Sequence, residues 1–328
     1  MPEARCASRD SIDGFDVGAD SMGKGAWKWP VLAVSCWPAL ASAWVKDADR
    51  IMEQGRPTTT FDLDNDSIPY RHYDGLYTSG IRLTQSHRLR EAAAWRSIAW
   101  RFGQQLYTPK HVTTPPELLG PLDRPYAGWL YAGASYRVEA DDGSELAWGL
   151  DIGCLGPCAG GASTQKFLHR VMNQPRPLGW STQISNEPGV VVHFGARASA
   201  WKFGAGLDLR PGLALRVGNI FNDLMLDGTM RAGRLRAAPG DTVAFGFLRA
   251  GVRAVAYDAT LQGGLFSSDP GRTVRPRRAT GEIEAGLQWQ RESWAVRLSL
   301  VGRSNEISGL PESQARESFF RLSISYSP

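Results

Sequence analysis

The sequence predicts an all-β protein, a closed antiparallel transmembrane β-barrel of about twelve strands with a short helix in an extracellular loop. Three observations carry that prediction. From Thr58 to the end, segments of about ten residues alternate apolar and polar side chains between Gly, Pro, Asp and Asn clusters, the pattern of antiparallel strands. The N-terminal region reads as an export leader. No apolar run reaches the roughly 18 residues of a membrane helix, so such a chain enters a membrane only as a barrel with every backbone polar group paired. A soluble periplasmic or secreted β-sandwich alternates equally well and is the competing architecture.

With 42% hydrophobic residues, 36 Gly and 12 Trp in 328 positions, the chain is too apolar for disorder and rich in residues that suit β-structure. Its formal net charge of +4 is small and dispersed, and no nucleic-acid partner is expected.

From Met22, Lys24 and Lys28 form a basic region, Trp29 to Leu40 an apolar region, and Ala41-Ser42-Ala43 a small-x-small cleavage site. Residues 22–43 are therefore expected to be a signal peptide, residues 1–21 an upstream extension or mis-assigned start, and 44–328 the barrel, beginning at Trp44. Export places Cys154 and Cys158, with three residues between them across a Gly-Pro turn, in an oxidising compartment. A disulfide between them is expected, since two thiols without a neighbouring Cys or His supply too few zinc ligands.

Strands are expected to begin near Thr58, Tyr77, Trp95, Tyr126, Glu145, Thr182, Gly204, Asn219, Thr242, Ala279, Trp294 and Ser318. In the clearest, Ile283, Ala285, Leu287 and Trp289 oppose Glu282, Glu284, Gln288 and Gln290; in the last, Phe320, Leu322, Ile324 and Tyr326 oppose Arg321, Ser323 and Ser325. Trp129, Tyr131, Trp148, Trp180, Trp201, Trp289 and Trp294 fit aromatic girdles at the membrane interfaces.

Four polar stretches interrupt this pattern. Phe61 to Asp66 ends the first strand in oxygen ligands that suit a hard cation such as Ca²⁺, and equally suit a solvated turn. Asp74 to Gly80 opens the next strand and would set the hydroxyls of Thr78 and Ser79 beside Asn65 and Asp66 in a hairpin. Gly103 to Pro109 and Leu122 to Trp129 flank a Pro-rich loop whose Lys110 and Arg124 could hold phosphate groups, or simply be rim cations. The fourth, Gly156 to Trp180, reads as a helix from about Thr164 to Asn173, capped by Ser163 or Thr164 and ended by Pro175. Gln165 and His169 stack at i and i+4 on one face, while Phe167, Leu168, Val171 and Met172 offer an apolar surface to dock. By itself His169 could be an ordinary surface histidine; the other stretches make it the candidate base.

Together the stretches resemble the lipid A 3′-O-deacylase (LpxR-type) family of outer-membrane barrels. The resemblance is carried by Asn65-Asp66, by D-x-x-Y-T-x-G from Asp74 to Gly80 and by G-Q-x-x-Y-T-P from Gly103 to Pro109. It continues through D-R-P-Y-A-G-W from Asp123 to Trp129, G-x-x-G-P from Gly153 to Pro157, Q-x-x-x-H from Gln165 to His169 and G-W-x-x-Q from Gly179 to Gln183. It departs at Asp74-Gly75, where the family often has Asp-Arg, and at the terminal Pro328.

The resemblance implies a calcium-dependent esterase that removes the 3′-linked acyloxyacyl group from lipid A, its active site facing the outer leaflet; a monomer is expected. His169, Asn65, Asp66 and Thr78 fall at catalytic positions. Gln165, Ser79, Lys110 and Arg124 would meet the lipopolysaccharide, and Asn65 and Asp66 would hold Ca²⁺. No G-x-S-x-G elbow is present, so a histidine-activated water is expected in place of a serine nucleophile. The rivals are an outer-membrane phospholipase A-like esterase and a porin or structural barrel.

Overall fold

Strict period-two alternation leaves each strand one apolar and one charged face, and the structure resolves these faces inside out. The computed structural model describes residues 47–66, 76–235, 241–267 and 272–328. The expected leader and the segment before it lie outside the described residues.

Consecutive antiparallel strands follow the chain: β1 (Arg56–Asn65), β2 (Leu76–Glu91), β3 (Ala94–Thr108), β4 (Ala127–Ala140), β5 (Glu145–Leu155) and β6 (Glu187–Arg197). They continue through β8 (Leu207–Gly218), β9 (Phe221–Arg234), β10 (Val243–Asp258), β11 (Ala279–Arg291), β12 (Trp294–Arg303) and β13 (Glu317–Tyr326). β1 pairs with β13 and β6 with β8, closing a twelve-strand barrel; the two-residue β7 (Trp201–Lys202) pairs only with β8. Most strands begin within three residues of expectation. β6 starts five residues late, because a 3₁₀ turn at Gly179–Thr182 takes the expected start.

On β3, Trp100 and Phe102 are 54% and 57% exposed while Arg101 between them donates to Asp151 at 2.6 Å. The outward faces carry Ile152, Val252, Leu287 and Leu300, the inward ones Asp64, Glu282, Glu284, Arg303 and Arg321. In lipid the outer wall needs apolar side chains and no unpaired backbone edge, and a closed barrel supplies both. The lumen charges neutralise one another: Arg321 with Asp64 at 2.9 Å, Arg303 with Glu282 at 2.7 Å, and Arg253 with Asp223 at 2.6 Å.

The barrel ends differ. One has two-residue turns at Ala92-Ala93 and Glu292-Ser293; the other carries the long connections 109–126, 156–186, 259–278 and 304–316. Beneath those connections lies the buried core, an aromatic layer across the lumen that includes Tyr77, Tyr107, Trp129, Tyr131, Phe221 and Phe319. The girdle reading is therefore corrected in part. Trp129 and Tyr131 stack inside at 5.9 Å and Trp180 is buried in a loop, whereas Trp148, Trp201, Trp289 and Trp294 are exposed on the wall or its short-turn end.

A helix that the sequence pattern did not reveal, α1 (residues 47–54), lies on the outer wall near the short turns. Its Ile51 packs against Ile98 and Tyr136, which share the outward parity of Trp100 and Trp148. Asp47 accepts from Tyr136 Oη at 2.6 Å and from Arg96 at 2.7 Å. Partial burial works against its charge, but these donors and Arg50 hold the Asp47 carboxyl below its ordinary value.

Candidate active site

At the long-loop end, β1 and β2 bring four of the expected residues together. Asn65 pairs with Ser79, and the Asp66 N–H donates to the Thr78 carbonyl at 3.3 Å. Asn65, Asp66, Thr78 and Ser79 are all buried. Parity places Asn65 and Ser79 on the outer wall. Asp62 and Asp64 of β1 and Gly80 and Arg82 of β2 border the lumen, so Asn65 and Ser79 fall on the outward face with Phe61 and Leu83.

A β-bulge adds Thr78 to that face. Tyr77 pairs with Tyr107 and Ser79 with Leu106, leaving Thr78 as the extra residue between Tyr77 and Gly80, both of which border the lumen. Thr78 and Ser79 therefore stand side by side outside, and Thr78 Oγ1 bonds Thr108 Oγ1 at 2.7 Å. Next to the bulge, Leu76 has φ of +72°, a left-handed conformation that costs a non-glycine residue about 1–2 kcal/mol and persists only where surroundings enforce it. Neither the bulge nor this strain has a signal in the sequence.

The helix α2 (Gly161–Val171) lies on the same side of the wall. It starts earlier than expected and without a hydroxyl cap: its N-cap is Gly160, at φ of +68°, which closes the preceding 3₁₀ turn Pro157–Ala159. A Cβ on Gly161 would come within 2.7 Å of the Trp180 ring and 3.0 Å of Leu106, and one on Gly128 within 3.4 Å of the Gly161 Cα. Leu106 and Gly128 are outward-facing partners on β3 and β4, so the helix backbone rests directly on the outer wall. Gln104 Nε2, on the same face, donates to the Ala159 carbonyl at 2.6 Å.

The docked face of α2 is the polar one, Gly161, Gln165 and His169, one turn apart. The expected apolar docking surface instead faces away, with Phe167 60% and Val171 67% exposed and Met172 exposed as well. The physical reason is that of the whole barrel: where the surroundings are hydrocarbon, the polar stripe turns to protein and the apolar stripe to lipid. Gln165 Oε1 accepts from Trp180 Nε1 at 2.6 Å, tying the helix to the segment after it. His169 Nδ1 lies 2.5 Å from the Pro175 carbonyl. That oxygen only accepts, so in the neutral ring Nδ1 carries the proton and Nε2 the lone pair. Beyond Leu106 on the same face of β3 stands Thr108, and the loop after it is tied to the segment after α2 by Leu178 N–H donating to the Val112 carbonyl at 2.9 Å.

The oxygens at this end of β1 and β2 suit a hard cation: the Asn65 amide, the Asp66 carboxylate and the hydroxyls of Thr78, Ser79 and Thr108. Among the described residues no three Asp, Glu, His or Cys side chains gather, so neutral oxygens would have to complete any cation's shell here. Asp74 and Gly75 lie outside the described residues.

Lys110 and Arg124 are not brought to this cluster as open rim cations. Arg124 is 2% exposed, donates to Glu306 at 2.7 Å and Thr260 at 2.9 Å, and lies 4.5 Å over the Tyr107 ring. Burial works against the Glu306 charge, but Arg124 and Arg303 hold its carboxyl below the ordinary value. Lys110 Nζ reaches the Gln314 carbonyl at 3.4 Å. Both knit the long connections together, as does Arg272, which donates to the carbonyls of Leu119 and Pro116 at 2.6 and 2.7 Å. Cys154 and Cys158 are joined at the base of the α2 loop, their Cα atoms 6.1 Å apart.

The barrel has counterparts among solved structures. LpxR from Salmonella typhimurium is 20% identical, with a TM-score of 0.69 over 83% of this chain and all of that one. The β domain of the Bordetella autotransporter BrkA (11% identity, 84% of this chain, 99% of that one) and the NalP translocator domain from Neisseria meningitidis (11%, 90% and 98%) give 0.46 and 0.42. No curated protein sequence matches the chain. The model of the family described as outer membrane protein LpxR matches residues 29–327, nearly the whole of the barrel and the stretch before it, and so the chain belongs to the LpxR family of outer-membrane proteins.

Proposed function

We propose that this outer-membrane barrel is a lipid A 3′-O-deacylase in which His169 is the general base. The observation that carries the reading is the position of the polar cluster: Asn65, Thr78 and Ser79 stand on the lipid side of the wall, with Asp66 next to them at the end of β1, and α2 docks on that side with the face that bears His169. An esterase whose substrate resides in a leaflet needs its groups there and not in the lumen. The long-loop end would face the outer leaflet, because outer-membrane barrels keep their short turns on the periplasmic side.

His169 Nε2 takes a proton from water as the water oxygen bonds to the acyl carbon, and returns it to the 3′ oxygen as the ester C–O bond breaks. Pro175 fixes the ring tautomer that permits this. Thr78 and Ser79 orient the water or the ester by hydrogen bonding, and Gln165, tied to Trp180, lies on the docked face of α2 beside His169. Ca²⁺ held by Asn65 and Asp66 would supply positive charge for the developing oxyanion. The interlocked long connections and the aromatic layer beneath them speak against an open pore.

Mass spectrometry of lipid A from cells expressing the wild type and His169→Ala, with calcium and with a chelator, tests the reading. The wild type releases the 3′ acyl group; His169→Ala lowers the rate by about 10²-fold or more with the barrel folded, and Asp66→Ala weakens the calcium dependence. An unchanged lipid A profile in wild-type cells, or cleavage of glycerophospholipid instead, refutes it and favours the phospholipase.

A further inference from the structure

We propose that Glu317, inside the barrel, is a positioning residue that fixes the bulge presenting Thr78 and Ser79 outside it; its catalytic consequence rests on the deacylase reading above. The β1 ladder ends at Asn65, which pairs with Phe320 on one side and Ser79 on the other. Glu317 lies three residues beyond Phe320 on β13, shares the inward parity of Phe319 and Arg321, and is 3% exposed. Its Oε2 accepts from the Tyr77 N–H at 2.8 Å, so it reaches from β13 to β2 past the end of β1.

Tyr77 is thereby held at three points. Its N–H meets Glu317, its hydroxyl donates to Asp64 at 3.0 Å, and its ring packs edge-on against Phe319 at 4.9 Å. The next residue is Thr78, the extra residue of the bulge. A bulge interrupts the ladder that would otherwise fix the strand, and here a buried carboxylate supplies a hold at the interruption. Glu317 Oε1 is steadied by Arg303 Nη1 at 3.2 Å, and Arg303 in turn by Glu282 at 2.7 Å. The chain Glu282, Arg303, Glu317, Tyr77 thus runs from the lumen charges to the backbone of an outward-facing site. Glu282 accepts from Arg249 and Arg303 and Glu284 from Arg297 and Ser299, whereas Glu317 also accepts from the backbone N–H of Tyr77 beside the bulge.

The test compares full-length Glu317→Ala, Glu317→Gln and Glu284→Gln barrels refolded in detergent. Closure is read from heat-modifiable electrophoretic mobility, the bulge from amide hydrogen exchange over residues 76–80, and chemistry from kcat and KM for lipid A in mixed micelles. Glu317→Ala raises exchange over 76–80 and lowers kcat about tenfold or more at a KM within about twofold of wild type, since misplacement on the ångström scale acts on the reacting geometry. Glu317→Gln keeps an acceptor for the Tyr77 N–H and recovers most of the rate, and Glu284→Gln, which lies outside the chain to Tyr77, stays near wild type. Wild-type exchange and kcat in Glu317→Ala overturn the proposal, as do equal losses in all three variants, which would mark a general effect of the charge network. Should Glu317→Ala fail to close, Arg303→Lys carries the same expectation, because it frees the carboxylate without removing it. If the wild type releases no 3′ acyl group, the deacylase reading falls, while exchange over 76–80 still decides whether Glu317 holds the bulge.

Discussion

Replacing Arg124 by Met removes a cation from a buried position while roughly filling its volume. Two bonds go, to Glu306 and Thr260, together with the stacking over Tyr107. Removing one partner of a buried ion pair costs about 3–5 kcal/mol, because the other charge stays behind without compensation. The Glu306 side chain keeps 21% exposure, which favours the lower end, about 3 kcal/mol, and loss of the cation–π contact adds about 0.5–1 kcal/mol. The strands do not depend on this pair, so the loss falls on local opening of the connection 304–316 and not on barrel closure. About 3–4 kcal/mol corresponds to between two and three decades in exchange rate of the amides in that connection, read by hydrogen–deuterium exchange in micelles. Heat-modifiable mobility stays as in wild type. Adding Glu306→Gln to Arg124→Met recovers part of the protection, since the stranded charge is gone. Protection within about threefold of wild type, together with a raised KM for lipid A, would show that Arg124 works as a phosphate contact and that the pairing argued here is wrong.

Two further outcomes follow from the geometry. Gly161→Val places methyl groups where a Cβ already lies 2.7 Å from Trp180; overpacking of about 1–3 kcal/mol lifts α2 from the wall, and lipid A deacylation falls sharply while the barrel still closes on gels. If deacylation survives intact, α2 does not need its seat on Leu106. Asp47 has a depressed carboxyl, so its contribution to docking α1 is present above the ordinary carboxylate value of 3.8 and is lost as pH falls through the lower folded value. Exchange protection of residues 51–54 therefore holds at neutral pH and falls only in strong acid, whereas Asp47→Asn lacks that protection at all pH values; equal protection in both proteins would remove the role given to Asp47.

Period-two alternation was sufficient to expose the barrel because the membrane enforces it: Glu282 to Gln290 must face lumen and lipid by turns, and a one-residue slip would put Glu284 into hydrocarbon. The same constraint made the start of β11 and β12 legible to the residue. It did not extend to α1, whose partners, Ile98 and Tyr136, come from later strands. Nor did it decide the face of α2, because the usual rule that apolar residues dock assumes water outside.

The sequence by itself determined the strands, their number and the order of the polar stretches, since these follow from local alternation, turn residues and the spacing of Asn65-Asp66, Thr78 and Gln165 to His169. Only the tertiary structure decided which side of the wall those stretches occupy. That side hangs on a single inserted residue at Thr78, on two glycines that let α2 touch β3 and β4, and on Glu317, 240 positions from the Tyr77 N–H it holds. Arg124 was likewise legible as a cation but not as a buried one, because its partner Glu306 lies 182 residues away. Pairings at that range are set by barrel closure, which brings the first and last strands together, and no local pattern in the chain encodes them.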